Sequence, residues 1–342
     1  MNFQQRVLYT VSVALAGTVL VLLAWQIKDV LLIAFAGFVV AVFLNGCAEA
    51  VRRVARLPRG VALALAILLL VGLAVSASLL LLPAVIAQLN ELFTGLPNLL
   101  TDVQATLDRT TWGHALLANV PQSATLASDI GNLLAGVAST LSLTVNSLVN
   151  AAFIIVVGVF LAASPATYRR GLLSLVPREY EPRASALLSD TIGTLQSWLI
   201  GQAIAMSAVG VLTTVGLTVA GVPLALALGI IAGVLDLIPF FGPLMAAIPA
   251  FLIGLTNGIC TGVWAAVVSL LVQQLEGNVI QPLVQRRAVK IPPALLVLAL
   301  TVMGKLFGFL GILVATPFAA VIVLLVKHLY VRDVLGKDVA ES

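Results

Sequence analysis

Charge is what this chain has least of: 9% of its 342 residues are Asp, Glu, Lys or Arg, while 61% are hydrophobic. So few charges cannot cover a water-facing surface without large apolar patches, which excludes a water-soluble fold and makes lipid the main solvent. Cysteine is nearly absent as well. Cys47 and Cys260 sit in apolar segments with no CxxC spacing, so neither a disulfide scaffold nor a metal site is indicated. The two histidines, His114 and His328, are far apart and no HExxH run occurs, which leaves an intramembrane enzyme without its usual nucleophile or zinc chemistry. No GxxxxGK[ST] loop is present to cradle phosphates, so active transport would have to run on an ion gradient rather than on ATP. The basic residues form no helical stripe of the kind nucleic acid requires. No small-residue cleavage site follows the first apolar run after MNFQQR, so the first helix is expected to stay as an anchor.

What is there in abundance is long apolar sequence, and the pattern is that of an all-α polytopic membrane protein. A hydrocarbon core of roughly 30 Å needs about 20 apolar residues of helix. Candidate spans run near residues 8–26, 30–48, 61–82, 144–163, 198–220 and 258–275. Two further apolar stretches, 223–256 and 292–328, are interrupted by proline and glycine, and each is either two crossings or one re-entrant hairpin. Arg52, Arg53, Arg56 and Arg59 crowd one loop; Arg169, Arg170, Arg178 and Arg183 follow Ala163; Arg286, Arg287 and Lys290 precede 292. By the positive-inside rule these loops, and both termini, belong in the cytoplasm.

The polar insert from about 88 to 142 belongs outside. Within it Leu89, Leu92, Leu96, Leu99, Val103 and Leu107 recur at spacings of three and four, which gives amphipathic helices for subunit contact, interfacial packing or a lid. The chain thus divides into three amino-terminal spans (1–87), the extracytoplasmic helical insert (88–142), a fourth span with a cytoplasmic linker helix (143–197), a core with interrupted helices (198–328) and a cytoplasmic tail (329–342).

The most informative stretch is DLIPFFGPLMAAIPA, beginning at Asp236. Pro239 has no N–H to pair with the carbonyl of Leu235, and Pro243 suits the first position of a new helix, so a helix breaks here and frees backbone carbonyls. Such groups survive in hydrocarbon only where protein or a cavity surrounds them, which predicts an internal polar pocket beside the Asp236 carboxylate. A second polar cluster, QQLEGNVIQP, places Gln273, Glu276 and Asn278 at the end of a span, where a carboxylate serves either a site or a solvated helix end. Lys305 in MGKLFGFLG is a third candidate, against the alternative of a lysine that snorkels to the interface.

The two interrupted stretches resemble each other. A shift of 69 positions aligns Pro223 with Pro292, Asp236 with Lys305 and Gly242 with Gly311, with Pro249 and Pro317 one residue out of step. The first copy starts outside and the second inside, so the match predicts an inverted-topology repeat, the arrangement that marks a transport site in secondary transporters. Residues 223–238 and 292–307 would each extend only about 24 Å as helix, so two opposed re-entrant hairpins fit better than four crossings.

These runs, DLIPFFGPLMAAIPA, QQLEGNVIQPLV and the distal IPPALLVLALTVMGKLFGFLGILVATPFAAVIVLL, resemble the autoinducer-2 exporter (AI-2E) family of permeases. The resemblance implies a bacterial inner-membrane protein of about eight passes that forms a homo-oligomer, with a pentamer among the expected assemblies. It also implies export of a small solute of the autoinducer-2 type or exchange of sodium for protons, with no cofactor beyond a coupling ion, H+ or Na+. By motif match Asp236, Pro239, Gly242 and Pro243 correspond to the family's helix break, Glu276 and Pro282 to its second motif, and Gly308, Gly311 and Pro317 to its last. Substrate binding is expected at Asp236, Glu276, Lys305, Gln273 and Asn278, and helix breaking or gating at Pro239, Gly242, Pro243, Pro249, Gly308, Gly311 and Pro317. The expected partners are the bilayer, the transported solute or ion and further copies of the chain. A passive channel and a non-transporting scaffold are the rival functions, because broken helices also build filters.

Overall fold

The computed structural model describes residues 25–73, 145–239, 241–284 and 291–332, with isolated positions 15, 17, 22, 75, 76, 79, 83 and 335. The amphipathic segments of the insert, most of the span expected at 8–26, and Arg286, Arg287 and Lys290 lie outside the described residues.

Three helices form an amino-terminal scaffold: α1 (Lys28–Ala55), α2 (Arg59–Leu73) and α3 (Val145–Ala163). Ala41, Leu44, Ala48, Leu63, Ala66 and Ala162 interlock as their shared core. Small residues suit this role, since helix association in lipid relies on close packing more than on water exclusion. After α3 the chain turns by 89° into the short helix α4 (Pro165–Leu173). Pro165 fits the first helical position, where its missing N–H leaves no bond unmade.

The second half is built around α5 (Glu181–Val219), 39 residues and therefore about 58 Å long. That exceeds the bilayer core by nearly twofold: the expected linker divides into α4 and a second part that runs on without a break into the span expected to begin at 198. Against α5 pack α6 (Ala225–Leu235) and α8 (Ile259–Leu275), and α7 (Phe241–Thr256) packs on both of these. A Cβ on Gly233 of α6 would come within 2.6 Å of the Met206 carbonyl oxygen of α5, so glycine is what lets these helices approach. Beyond α8 the chain widens into a π-helical turn, Glu276–Ile280, then a last turn, Gln281–Val284.

The first interrupted stretch is two short helices, α6 of 11 and α7 of 16 residues, joined by a turn and packed on each other. At about 16 and 24 Å neither reaches across hydrocarbon. The second stretch is α9 (Pro293–Leu325), whose helical path breaks at Gly308 (φ 63°, ψ −143°). Eight residues of straight helix would separate Met303 from Gly311 by about 12 Å. The Met303 carbonyl oxygen instead lies where a Cβ on Gly311 would sit, so the arms 293–307 and 309–325 fold back on each other. The same contact recurs in the first hairpin between the Leu235 carbonyl and Gly242. The second hairpin packs Leu300, Met303, Val314 and Ala315 against Leu32 and Ala36 of α1. Lys28 of α1 reaches the carbonyl of Leu306 beside the break at 3.4 Å, supplying a donor to an acceptor that the broken helix leaves short.

By length and composition four stretches among the described residues could cross a bilayer, α1, α5, 259–283 and 293–332, the last being the stretch broken at Gly308, or five if the bent α3–α4 pair is one span. The outward faces carry residues such as Val211, Val219, Trp264 and Leu270, all more than half exposed, as a lipid-facing surface should.

Candidate functional site

The turn between α6 and α7 follows from its prolines, with corrections to the sequence expectation. The carbonyl of Leu235 is not left free: the turn tightens so that the Ile238 N–H donates to it at 3.0 Å. Gly242 N–H donates to the Ile238 carbonyl at 2.8 Å, closing the corner. The new helix begins at Phe241, two residues before Pro243. Pro243 still lies in the first turn, where no intrahelical donor is needed. At this break the Asp236 carbonyl is satisfied by a side chain. Gln202, from the middle of α5, does so at 2.9 Å, and the same amide nitrogen reaches Asp236 Oδ2 at 3.4 Å.

Asp236 is 2% exposed, and its Oδ1 is buried with no hydrogen-bond partner among the described residues. Glu276 opens the π-helical turn after α8 and is 9% exposed; Gln281 donates to its Oε1 at 3.0 Å. The extra residue that a π turn accommodates rotates the following side chains, and such turns often mark functional sites. Here it keeps Glu276 inside and brings Gln281 back beside it. The carboxyl groups of Asp236 and Glu276 line one cavity of about 360 Å³. Its walls include Gln202, Gln273 and Gln281, the ring edges of Pro239 and Pro243, and Pro293 and Thr316 from the second hairpin. Both hairpins, α5 and the π turn therefore meet at one polar chamber. On the far side of Trp198 and Gln202 lies a second cleft of about 790 Å³ with almost entirely apolar walls, so these two residues line both.

Of the expected binding residues, Asp236, Glu276 and Gln273 come together. Asn278 does not line the chamber: it is exposed, and its amide donates to Gln274. Lys305 is exposed on the first arm of α9 and does not line it either. Among the expected breaks, Pro239, Gly242 and Pro243 shape the first turn and Gly308 and Gly311 the second. Pro249 and Pro317 instead lie inside α7 and α9, with Pro317 fully buried. Gln202, Thr316 and Trp198 were not among the expected residues. An amide in the middle of an apolar span was the signal for Gln202, since polar groups there must find a partner.

Two facing carboxylates in a site sheltered from water repel unless a proton or cation lies between them. The amides and the Thr316 hydroxyl add hard oxygen acceptors and N–H donors. Such a set can take up and release a proton or a small hard cation and hydrogen-bond a polar solute.

The chain is similar to known sequences over most of its length. The AI-2E family transporter profile matches residues 14–331. The chain is 28% identical over 281 residues to "Putative transport protein YueF" of Bacillus subtilis, covering 78% of this chain and 76% of that one. It is 34% identical over 154 residues to "Putative transport protein YrrI" of the same organism, 45% and 44% of the two chains. A transport-named protein of Thermotoga maritima is 22% identical over 257 residues, 74% and 75% of the two chains. The chain belongs to the AI-2E family of transporters, as a multi-pass membrane protein.

Proposed function

We propose that the chain is a secondary transporter working by alternating access, in which Asp236 and Glu276 bind the coupling ion, a proton or Na+, while the chamber between them and Thr316 takes a small polar solute. The observation that carries this reading is the burial of two carboxyl groups on one chamber to which both folded hairpins contribute. The carbonyl end of α6 lies beside Asp236 and the N-terminal end of α7 begins at Phe241. The ends carry opposite partial charge, one suited to a cation and the other to an electronegative group of the solute. The two hairpins move as an inverted pair against the scaffold of α1 to α3. The arginine-rich loops and both termini face the cytoplasm of a bacterial inner membrane, the insert lies outside, and the working unit is a homo-oligomer.

Flux into proteoliposomes under imposed proton or sodium gradients tests this, with sodium and autoinducer-2 as cargoes. Saturable flux that follows the gradient supports the transporter. Flux that does not saturate supports a passive channel, and no flux of either cargo under any gradient supports a scaffold.

A further inference from the structure

A second cavity, of about 890 Å³, lies far from the Asp236 chamber, where α1 ends, α2 begins and α3 bends into α4. Its rim is basic. Arg52 comes from the last turn of α1, Arg59 from the start of α2 and Arg169 from α4. One carboxylate, Glu49, shares this rim, and it is already held by Arg52 at 3.0 Å and by Arg53 at 3.7 Å. The other two guanidinium groups are held by neutral acceptors. Arg59 donates to Asn45 Oδ1 at 3.1 Å, and Arg169 donates to Ser185 and Ser189 Oγ at 2.7 and 3.2 Å. Among the described residues neither has a carboxylate partner. Their positions are therefore fixed and their charge is kept, the condition for binding a phosphate group.

Below the rim the walls turn apolar, through Val42, Ala41 and Phe38 of α1 and Ile192 of α5. Fourteen residues of α1 separate Phe38 from Arg52, an axial depth of about 21 Å. A bilayer of about 40–45 Å including headgroups has leaflets of the same depth. A soluble anion would use the rim and leave the apolar walls empty; a zwitterionic lipid would fill the walls and leave the arginines uncompensated. Only an anionic diacyl lipid matches both parts.

We propose that this cavity is a binding site for one anionic phospholipid, with its phosphodiester on Arg59 and Arg169 and an acyl chain along α1 toward Phe38. Basic pockets between spans on the cytoplasmic side commonly hold anionic headgroups. The lipid would join the scaffold to the start of α5, since Arg169 is tied to Ser185 and Ser189 on that helix. The site stands apart from the transport chamber and does not depend on the chain's cargo.

The test is native mass spectrometry of the purified full chain, offered phosphatidylglycerol and phosphatidylcholine of equal chain length, with and without inorganic phosphate. The expected result is preferential retention of phosphatidylglycerol that inorganic phosphate at equal concentration does not displace. R59Q and R169Q should each lower the preference about fivefold. R169K should keep most of it, and R178Q, at an exposed arginine outside the cavity, should leave it unchanged. R169Q alone carries the test if R59Q does not fold, because Arg169 is exposed on α4. Equal retention of the two lipids, an unchanged preference in R169Q, or displacement by inorganic phosphate would each overturn the proposal. So would a rim covered by a second copy of the chain in place of lipid.

Discussion

The side-chain amide of Gln202 donates to the backbone carbonyl of Asp236 at 2.9 Å, from a helix 34 positions earlier in the chain. One side chain therefore satisfies the acceptor that the helix break exposes and stands 3.4 Å from the carboxylate the break presents. Gln202→Leu keeps roughly the volume but leaves a buried carbonyl unpaired. It is expected to cost about 1–3 kcal/mol, seen as a lower unfolding temperature in detergent. Ser207→Ala, five residues along the same helix on an exposed position, should stay within about 0.5 kcal/mol of the parent. Equal unfolding temperatures for Gln202→Leu and the parent would contradict the role given to this contact.

A Cβ at Gly242 or Gly311 would overlap the carbonyl of Leu235 or Met303, and neither carbonyl is a flexible side-chain end that can swing aside. Gly242→Ala and Gly311→Ala are each expected to destabilise by about 1–3 kcal/mol through overpacking. Gly193→Ala, on α5 with nothing within 4 Å of the new methyl, should be neutral or stabilising by up to about 1 kcal/mol. Thermal unfolding of the three variants side by side checks the hairpin geometry without reference to any cargo.

The break at Asp236 was legible because proline and glycine act locally: Pro239 and Pro243 interrupt a helix wherever they stand. The closing contact was not legible, since the capture of the Asp236 carbonyl by Gln202 joins residues whose pairing only tertiary packing decides. Glu276 was balanced between a site and a solvated helix end. The π turn settles its burial, and no sequence period announces a single wide turn. The likeness of the two hairpins was visible as a shift of 69, which keeps Gly242 with Gly311. The carbonyls that touch those glycines, Leu235 and Met303, differ by 68. The second turn is thus one residue longer, and the position following its carbonyl is Gly304 rather than Lys305. Lys305, aligned with Asp236 in sequence, sits near the tip of the second hairpin, whereas the chamber takes Pro293, Leu296 and Thr316 from further along its arms. Lys28, which serves the break at Gly308, gave no signal because a lysine at the start of a span reads as an interfacial anchor.

Because Asn278 and Lys305 stand outside the chamber, Asn278→Ala and Lys305→Gln are expected to leave cargo affinity within about twofold of the parent, the scale of a surface substitution. Glu276→Gln, by contrast, removes one of the two buried carboxylates and should abolish the dependence of flux on the coupling gradient. Flux measured as a function of cargo concentration separates these outcomes, and a large loss in Lys305→Gln would place the lysine in the working cycle.

Coupled transport is proposed to depend on the Asp236 carboxylate, and gradient-driven flux in proteoliposomes containing the parent or Asp236→Asn at equal protein content measures that dependence. The substitution keeps the shape of the side chain and removes its charge. Saturable flux driven by a proton or sodium gradient is expected in the parent, and flux at the level of protein-free vesicles in Asp236→Asn. Equal gradient-driven flux in the two would contradict that dependence.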